Sequence, residues 1–301
     1  MAARLWLLVI AAVAASAALC AKLIGATLHW TATSCGAAAV LAFVLLPSIC
    51  VAVLLLWSGM REERRLSYPL LRAALREPLY CWVSVWRIIV EPCRRGADSA
   101  ALKEGPSARP LLLLHGILCN GGVWRGWLRS LRAAGFAPIR AVSLEPLLTS
   151  IDAHAARVVA ELTALQRESR GARVAILAHS MGGLVARAAL LDAGPQRVGQ
   201  IVTLACPHHG TRLATYAPCA PAREMRPGSA WLAALTAREA HHELVPITSI
   251  YSLEDNVVLP ARSARWERAR CHPLHGLGHL GLLASRTARR HALAALQAGD
   301  P

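Results

Sequence analysis

Hydrophobic positions along the 301-residue chain fall into two regimes. Before residue 60 they form long uncharged runs, one over residues 5–21 (LWLLVIAAVAASAALCA) and a longer one from Gly36 to Trp57 (GAAAVLAFVLLPSICVAVLLLW). At a rise of about 1.5 Å per residue, each run is long enough to cross a hydrocarbon core of about 30 Å. Trp6, Trp30 and Trp57 stand near the ends of these runs, where amphipathic rings favour the interface. The pattern predicts a membrane anchor of two transmembrane helices over residues 1–60, with Pro47 tolerated as a kink. Removal of the first run as a signal peptide, at the small residues Ala15 to Ala17, is the weaker reading, because the hydrophobicity continues past them and a second apolar span follows.

Residues 66–95 mix apolar and basic residues at roughly helical spacing, interrupted by Pro69, Pro78 and Pro92. An interfacial helix and a helix packed on the following domain both fit. Residues 97–110 turn small, charged and rich in Pro and Gly and read as a linker, so 61–108 is an amphipathic and linker region. From 109 to 301 short apolar runs alternate with amphipathic stretches. Strands are predicted at 111–115, 138–144, 173–179, 199–205, 247–252 and about 268–274, and helices at about 122–134, 152–168, 181–193 and 279–297. Continuous apolar strands between helices predict an α/β domain whose mostly parallel sheet is covered on both faces. No internal repeat interrupts it.

Charge changes this picture in two ways. The formal net charge is +15, and lysine appears only at Lys22 and Lys103, so the excess is almost all arginine. The arginines are scattered, without a basic run interleaved with aromatics, which argues against nucleic acid and for an anionic membrane surface as the partner. Arginine-rich coding bias accounts for much of the excess as well. Arg4 precedes the first span and Arg61, Arg64 and Arg65 follow the second, while the connection carries only Lys22. The positive-inside rule then places both ends, and the domain from residue 109, in the cytoplasm. The nine cysteines form no CxxC pair and no Cys/His cluster at zinc spacing, so neither a disulfide framework nor a structural metal is expected.

The chemistry concentrates in four segments. VAILAHSMGGLVARAAL is a strand entering AHSMG and then a helix. A nucleophilic serine on such a turn needs small flanking residues; Gly182 supplies one, and Ala178 stands where GxSxG has its first glycine. Ser180 is therefore the candidate nucleophile, in preference to a plain helix N-cap. In LLLLHGILCNGG the strand ends at His115-Gly116, and the amides of Ile117 and Met181 are the candidate oxyanion donors, each worth about 2.7–4 kcal/mol in such a role. HGLGHLGLL sets His279 between glycines, as candidate base, with His272 and His275 as rivals. Asp255 in ITSIYSLEDNVVLP, just past a predicted strand, is the candidate acid, with Glu254 adjacent as alternative. Asp192 reads as structural.

AHSMGG, LACPHHGTRLA, SIYSLEDNVVLP and HGLGHLGLL together resemble the small bacterial lipases and esterases of the α/β-hydrolase superfamily, over about residues 110–297. The resemblance implies an α/β-hydrolase fold, a Ser180–Asp255–His279 triad, no cofactor, and His208 and His209 as scaffold. Two departures stand out: the first two strands of a full-length sheet are missing, which implies a shortened one, and secreted lipases of this type lack a membrane hairpin. The expected activity is carboxylic-ester hydrolysis on lipid or acyl-chain esters at a membrane, in a bacterial cell on the cytoplasmic side of the inner membrane. Acyl transfer or thioester cleavage by the same triad, and a catalytically silent tethered domain, are the alternatives. Residues 207–246 form an unusually long connection that fits a lid or a surface excursion equally.

Overall fold

The computed structural model describes residues 67–91 and 109–299, with isolated helical positions between residues 4 and 53. Most of the two apolar runs, and the 97–110 linker up to residue 108, lie outside the described residues. Among the described residues no helix is long and apolar enough to cross a membrane.

The strands form where the apolar runs predict them: β1 (Leu111–Leu114), β2 (Ile139–Val142), β3 (Val174–His179), β4 (Val198–Leu204), β5 (Ile247–Ser252) and β6 (Arg270–Leu274). They build one sheet in the order β2-β1-β3-β4-β5-β6, and every neighbouring pair is parallel. The four central strands are largely apolar on both faces because each face carries its own core. Leu112, Leu114, Ile176, Ala178 and Ile201 point to one side, under α3 (Ile151–Glu168), α4 (Met181–Ala193) and α6 (Ala230–Ala240). Leu111, Leu113, Leu177, Val202 and Ile250 point to the other, under α2 (Arg125–Ala133) and α8 (Arg286–Ala298). This alternation at period two gives the four central strands two buried faces, while the edge strands β2 and β6 are only partly covered.

The region before the domain contributes α1 (Tyr68–Val90), begun by Ser67, whose hydroxyl accepts from the Leu70 amide, and continuous through Pro78. Its buried positions, Leu70, Ala73, Ala74, Glu77, Ser84 and Ile88, recur at helical spacing. Ile88 enters the second core, and its carbonyl accepts from Asn120 Nδ2 at 2.9 Å. Of the two readings of 66–95, packing on the domain is the one observed for these residues.

The 207–246 connection is also folded. It contains a 3-10 turn (Arg212–Tyr216), α5 (Ala220–Glu224) and α6, with Leu232 and Leu235 in the first core. Arg187, buried inside α4, holds Glu239 of α6 through two bonds of 2.8 and 2.7 Å, and its guanidinium lies 4.2 Å from the centre of the Trp266 ring. The single helix expected at 279–297 is instead two, α7 (Gly281–Ala284) and α8. They part at Ser285, whose hydroxyl caps α8 by accepting from the Ala288 amide.

Candidate active site

From β1 the chain crosses to β2 on one side and then returns to β3 on the other side of β1. The carboxyl ends of β1 and β3 therefore flank the point where the strand order reverses, the crevice in which open α/β sheets take ligands. The first turn there carries His115 to Leu118 and the second carries Ser180.

Ser180 has φ 55° and ψ −129°, left-handed backbone that a side chain rarely adopts. The turn survives because its surroundings leave no alternative. A Cβ at Gly182 would stand 2.7 Å from the His115 carbonyl oxygen and 2.8 Å from that of Leu114, so only glycine lets α4 press this close to β1. A Cβ at Gly183 would meet Cys206 Sγ at 2.5 Å. Ala178 is fully buried in the first core, which its single methyl fits.

The β1 turn is fixed by His115. Its Nε2 accepts the Leu144 amide at 2.8 Å, so its proton is on Nδ1, which donates to the Gly116 carbonyl at 2.7 Å. Gly116 backs onto Ser180: a Cβ there would lie 3.3 Å from Ser180 Oγ. The Ile117 amide makes no backbone hydrogen bond within this turn, and the Met181 amide, first in α4, has no acceptor within the helix. Among the described residues, neither expected oxyanion donor has a backbone acceptor on the two turns that meet at Ser180.

Past β5, Asp255 is buried with its Oδ1 accepting the Val257 and Val258 amides at 2.8 and 2.9 Å. His279 Nδ1 lies 2.9 Å from Asp255 Oδ2 and 3.1 Å from Oδ1. Burial alone would lower the pKa of His279, but the Asp255 charge, the hydrogen bond to it and the Glu77 carboxylate outweigh burial and raise it. Glu254 faces elsewhere, accepting the Gly276 amide at 2.7 Å and contacting His275 Nδ1 at 3.3 Å. His272 lies beside His291, with ring centres 5.3 Å apart. The structure thus brings Asp255 and His279 together and leaves both rival histidines apart from that pair. Ser180 Oγ makes no hydrogen bond among the described residues, so its contact with His279 is open here. Such contacts often tighten only with substrate bound.

Three supports of the site escape the sequence reading. His179 Nε2 donates to the His279 carbonyl at 3.3 Å, and their rings lie 4.7 Å apart; burial and the neighbouring His279 push His179 well below the usual range, so it stays neutral. Asn256 Oδ1 accepts the His279 amide at 2.9 Å. Glu77 of α1 reaches the same loop from the far end of the described chain. Its signal is faint: Glu77 and Glu91 are the only acids in the basic, apolar stretch 66–95. His208, by contrast, stacks on Trp266 at 5.1 Å behind α4, a scaffold position. No group of His, Cys, Asp or Glu among the described residues is arranged to hold a metal ion, and the described cysteines are free thiols.

Residues 152–219 match the family model of the PGAP1-like alpha/beta domain. No curated protein matches the sequence. Among solved structures, the chain is similar to mature lipase BlEst2 of Bacillus licheniformis, with 16% identity and a TM-score of 0.56, over 66% of this chain and 96% of that one. It is similar to lipase B of Aspergillus fumigatus at 21% identity and a TM-score of 0.57, over 67% of this chain but only 57% of that one. A Listeria innocua gene product matches at 12% identity and a TM-score of 0.50, over 64% of this chain and 94% of that one. At such identities the likeness speaks for the fold, and with the family match it makes this chain a protein of α/β-hydrolase fold, its sheet reduced to six parallel strands.

Proposed function

We propose that the protein is a serine carboxylic-ester hydrolase acting on lipid or other acyl-chain esters, with Ser180 as nucleophile, His279 as general base and Asp255 orienting that base. The observation that carries the proposal is the buried Asp255–His279 pair at 2.9 Å, set beside a serine held in left-handed backbone at the switch point of the sheet.

In this reading Ser180 Oγ attacks the ester carbonyl carbon while His279 Nε2 takes the hydroxyl proton. The carbonyl oxygen becomes an oxyanion, held by the Ile117 and Met181 amides at the positive end of α4. The tetrahedral adduct collapses, the carbon–oxygen ester bond breaks, and His279 returns the proton to the departing alkoxide. Water, deprotonated by the same imidazole, then attacks the acyl-enzyme and releases the acid and free Ser180. Asp255 keeps Nδ1 protonated and stabilises the imidazolium. No cofactor enters any step.

An acyl-chain substrate is supported by apolar side chains left in solvent on loops that leave the carboxyl ends of β2 and β4. They are Leu148, Leu213 and Tyr216, with 48%, 41% and 77% of their surfaces exposed. The two loops are tied together where Glu224 accepts the Ile151 amide at 2.6 Å. The lipase names of two similar structures point the same way. Membrane anchoring through residues 1–60, with the domain from residue 109 on the cytoplasmic side, completes the proposal. It rests on the two apolar runs and the placement of Arg4 and Arg61 to Arg65.

Esters and thioesters of graded acyl length, run on the full-length protein and on Ser180→Ala, test the activity. Hydrolysis of esters that vanishes in the variant is the expected result; hydrolysis that survives in it refutes the assignment. A cysteine placed at Ala97 tests the topology: a membrane-impermeant thiol reagent should leave it unmodified in intact cells.

A further inference from the structure

Glu77 is 1% exposed, yet it sits in a helix whose other buried residues are mostly small or apolar. Its Oε1 accepts the Leu280 amide at 2.6 Å and its Oε2 accepts the Gly281 amide at 2.9 Å, the two residues that directly follow His279. The glycines of HGLGHLGLL have their physical reason here. A Cβ at Gly278 would stand 2.3 Å from the Glu77 carboxyl carbon, and one at Gly281 would stand 3.0 Å from Oε2. The loop is bare on both sides of His279 because a carboxylate from another helix occupies that space.

Two further amides of the loop are tied in the same manner. Glu254 takes Gly276 and Asn256 takes His279. Those two side chains belong to the loop that also carries Asp255, so they keep His279 in register with its acid. Among the described residues, the hydrogen bonds that tie the loop of the base to α1 are those of Glu77. A one-turn helix such as α7 does not require a buried carboxylate to begin it, and burying one is costly. An ionised carboxylate beside His279 does, however, favour the imidazolium that forms during attack.

We propose that Glu77 is a positioning residue of the hydrolytic site: by gripping the Leu280 and Gly281 amides it sets the place of the His279 imidazole, which makes α1 part of the catalytic machinery. The inference rests on the reading of Ser180, His279 and Asp255 given above. The groups facing the Glu77 carboxylate are His279 and Asp255 from the loops and Cys81 from its own helix, with the Tyr80 ring also against Gly281 and Arg72 against Gly276.

The test uses the full-length protein and three variants, E77Q, E77D and E77A, on a short-chain soluble ester, beside Ser180→Ala. E77Q keeps the shape and one acceptor but turns an NH2 group toward an amide N–H. Expected are a fall in kcat of at least tenfold in E77Q and E77A with KM within about twofold, and partial rescue in E77D. In E77Q the pH profile of kcat/KM should change around pH 7, where the Glu77 carboxyl titrates beside His279. Folded E77Q with kcat within twofold of wild type overturns the proposal. So does E77Q that loses activity with a pH profile superimposable on that of the wild type, since that outcome assigns Glu77 to stability alone. Should E77A fail to fold, E77Q and E77D carry the same comparison. Activity that survives in Ser180→Ala refutes the triad instead, and is read independently of the Glu77 variants.

Discussion

His279 Nδ1 contacts both carboxylate oxygens of Asp255, at 2.9 and 3.1 Å, and both residues are at most 5% exposed. Held in this way, the ring carries its proton on Nδ1 and turns Nε2 free to act as base. Activity should require the neutral imidazole, so kcat/KM falls as pH drops through the His279 pKa, which lies above its ordinary 6.5. Asp255→Asn removes the charge and the tautomer control together. The expected result is a loss in kcat of about 10⁴-fold, the size of loss seen when such an acid becomes an amide, and an acid limb shifted to lower pH. A pH–rate profile of both proteins checks it.

Gly182 lies against two backbone oxygens that cannot swing aside. Gly182→Ala should therefore push α4 off β1, at a cost of about 1–3 kcal/mol, and move the serine turn with it. Gly199→Ala meets only Arg173 Cβ at 3.4 Å, ordinary contact, and serves as the control. Urea unfolding and ester turnover of the two variants should separate clearly.

The Arg187–Glu239 pair pins the 207–246 connection to α4, with both side chains 1% exposed. Glu239→Ala leaves a guanidinium buried without its carboxylate, which should cost about 3–5 kcal/mol. Because α6 is fastened at that point, proteolysis of the folded variant should begin within 230–246. In the wild type the same segment should be protected from hydrogen exchange over α6, as a packed wall is and a mobile lid is not.

Burial pushes the Glu77 carboxyl up to about 7, and Asp255 adds to the rise, against the pull of the Leu280 amide, His279 and the Gly281 amide. The fold thus binds a proton at Glu77 more tightly than the unfolded chain does. Stability relative to E77Q should be highest below pH 4.5 and should decline as pH rises through about 7. The total decline is about 3 kcal/mol at 1.36 kcal/mol per pH unit. Thermal melts of both proteins between pH 4.5 and 8 measure it.

Local signals carried most of the fold. LLLL and VAILAH are apolar at every or nearly every position, as strands covered on both faces require, and both are strands here, as is the mostly apolar VGQIVTL. The strand-to-helix junction at Ser180 was legible for a related reason: an apolar strand runs straight into a helix there, with small residues two positions to either side. What local sequence could not supply was contact across distance. Glu77 and Leu280 are 203 positions apart, and nothing in REPLY marks its acid as a partner for HGLGH. The course of 66–95 was ambiguous because apolar residues occupy both faces of α1. Leu70 and Ile88 are buried, while Leu75, Leu79 and Trp86 are more than 60% exposed. The break at Ser285 was hidden in a stretch whose amphipathic pattern continues across it; a serine three residues before Ala288 was its one mark.

The central claim is that Ser180 is the nucleophile of a working serine hydrolase, and covalent labelling by a fluorophosphonate tests it most directly. Intact-mass analysis with peptide mapping should find one adduct, on the AHSMGG peptide at Ser180, formed by the wild type and absent from Ser180→Ala. Folded wild-type protein that takes up no label, or an adduct on another serine that persists in Ser180→Ala, contradicts the account.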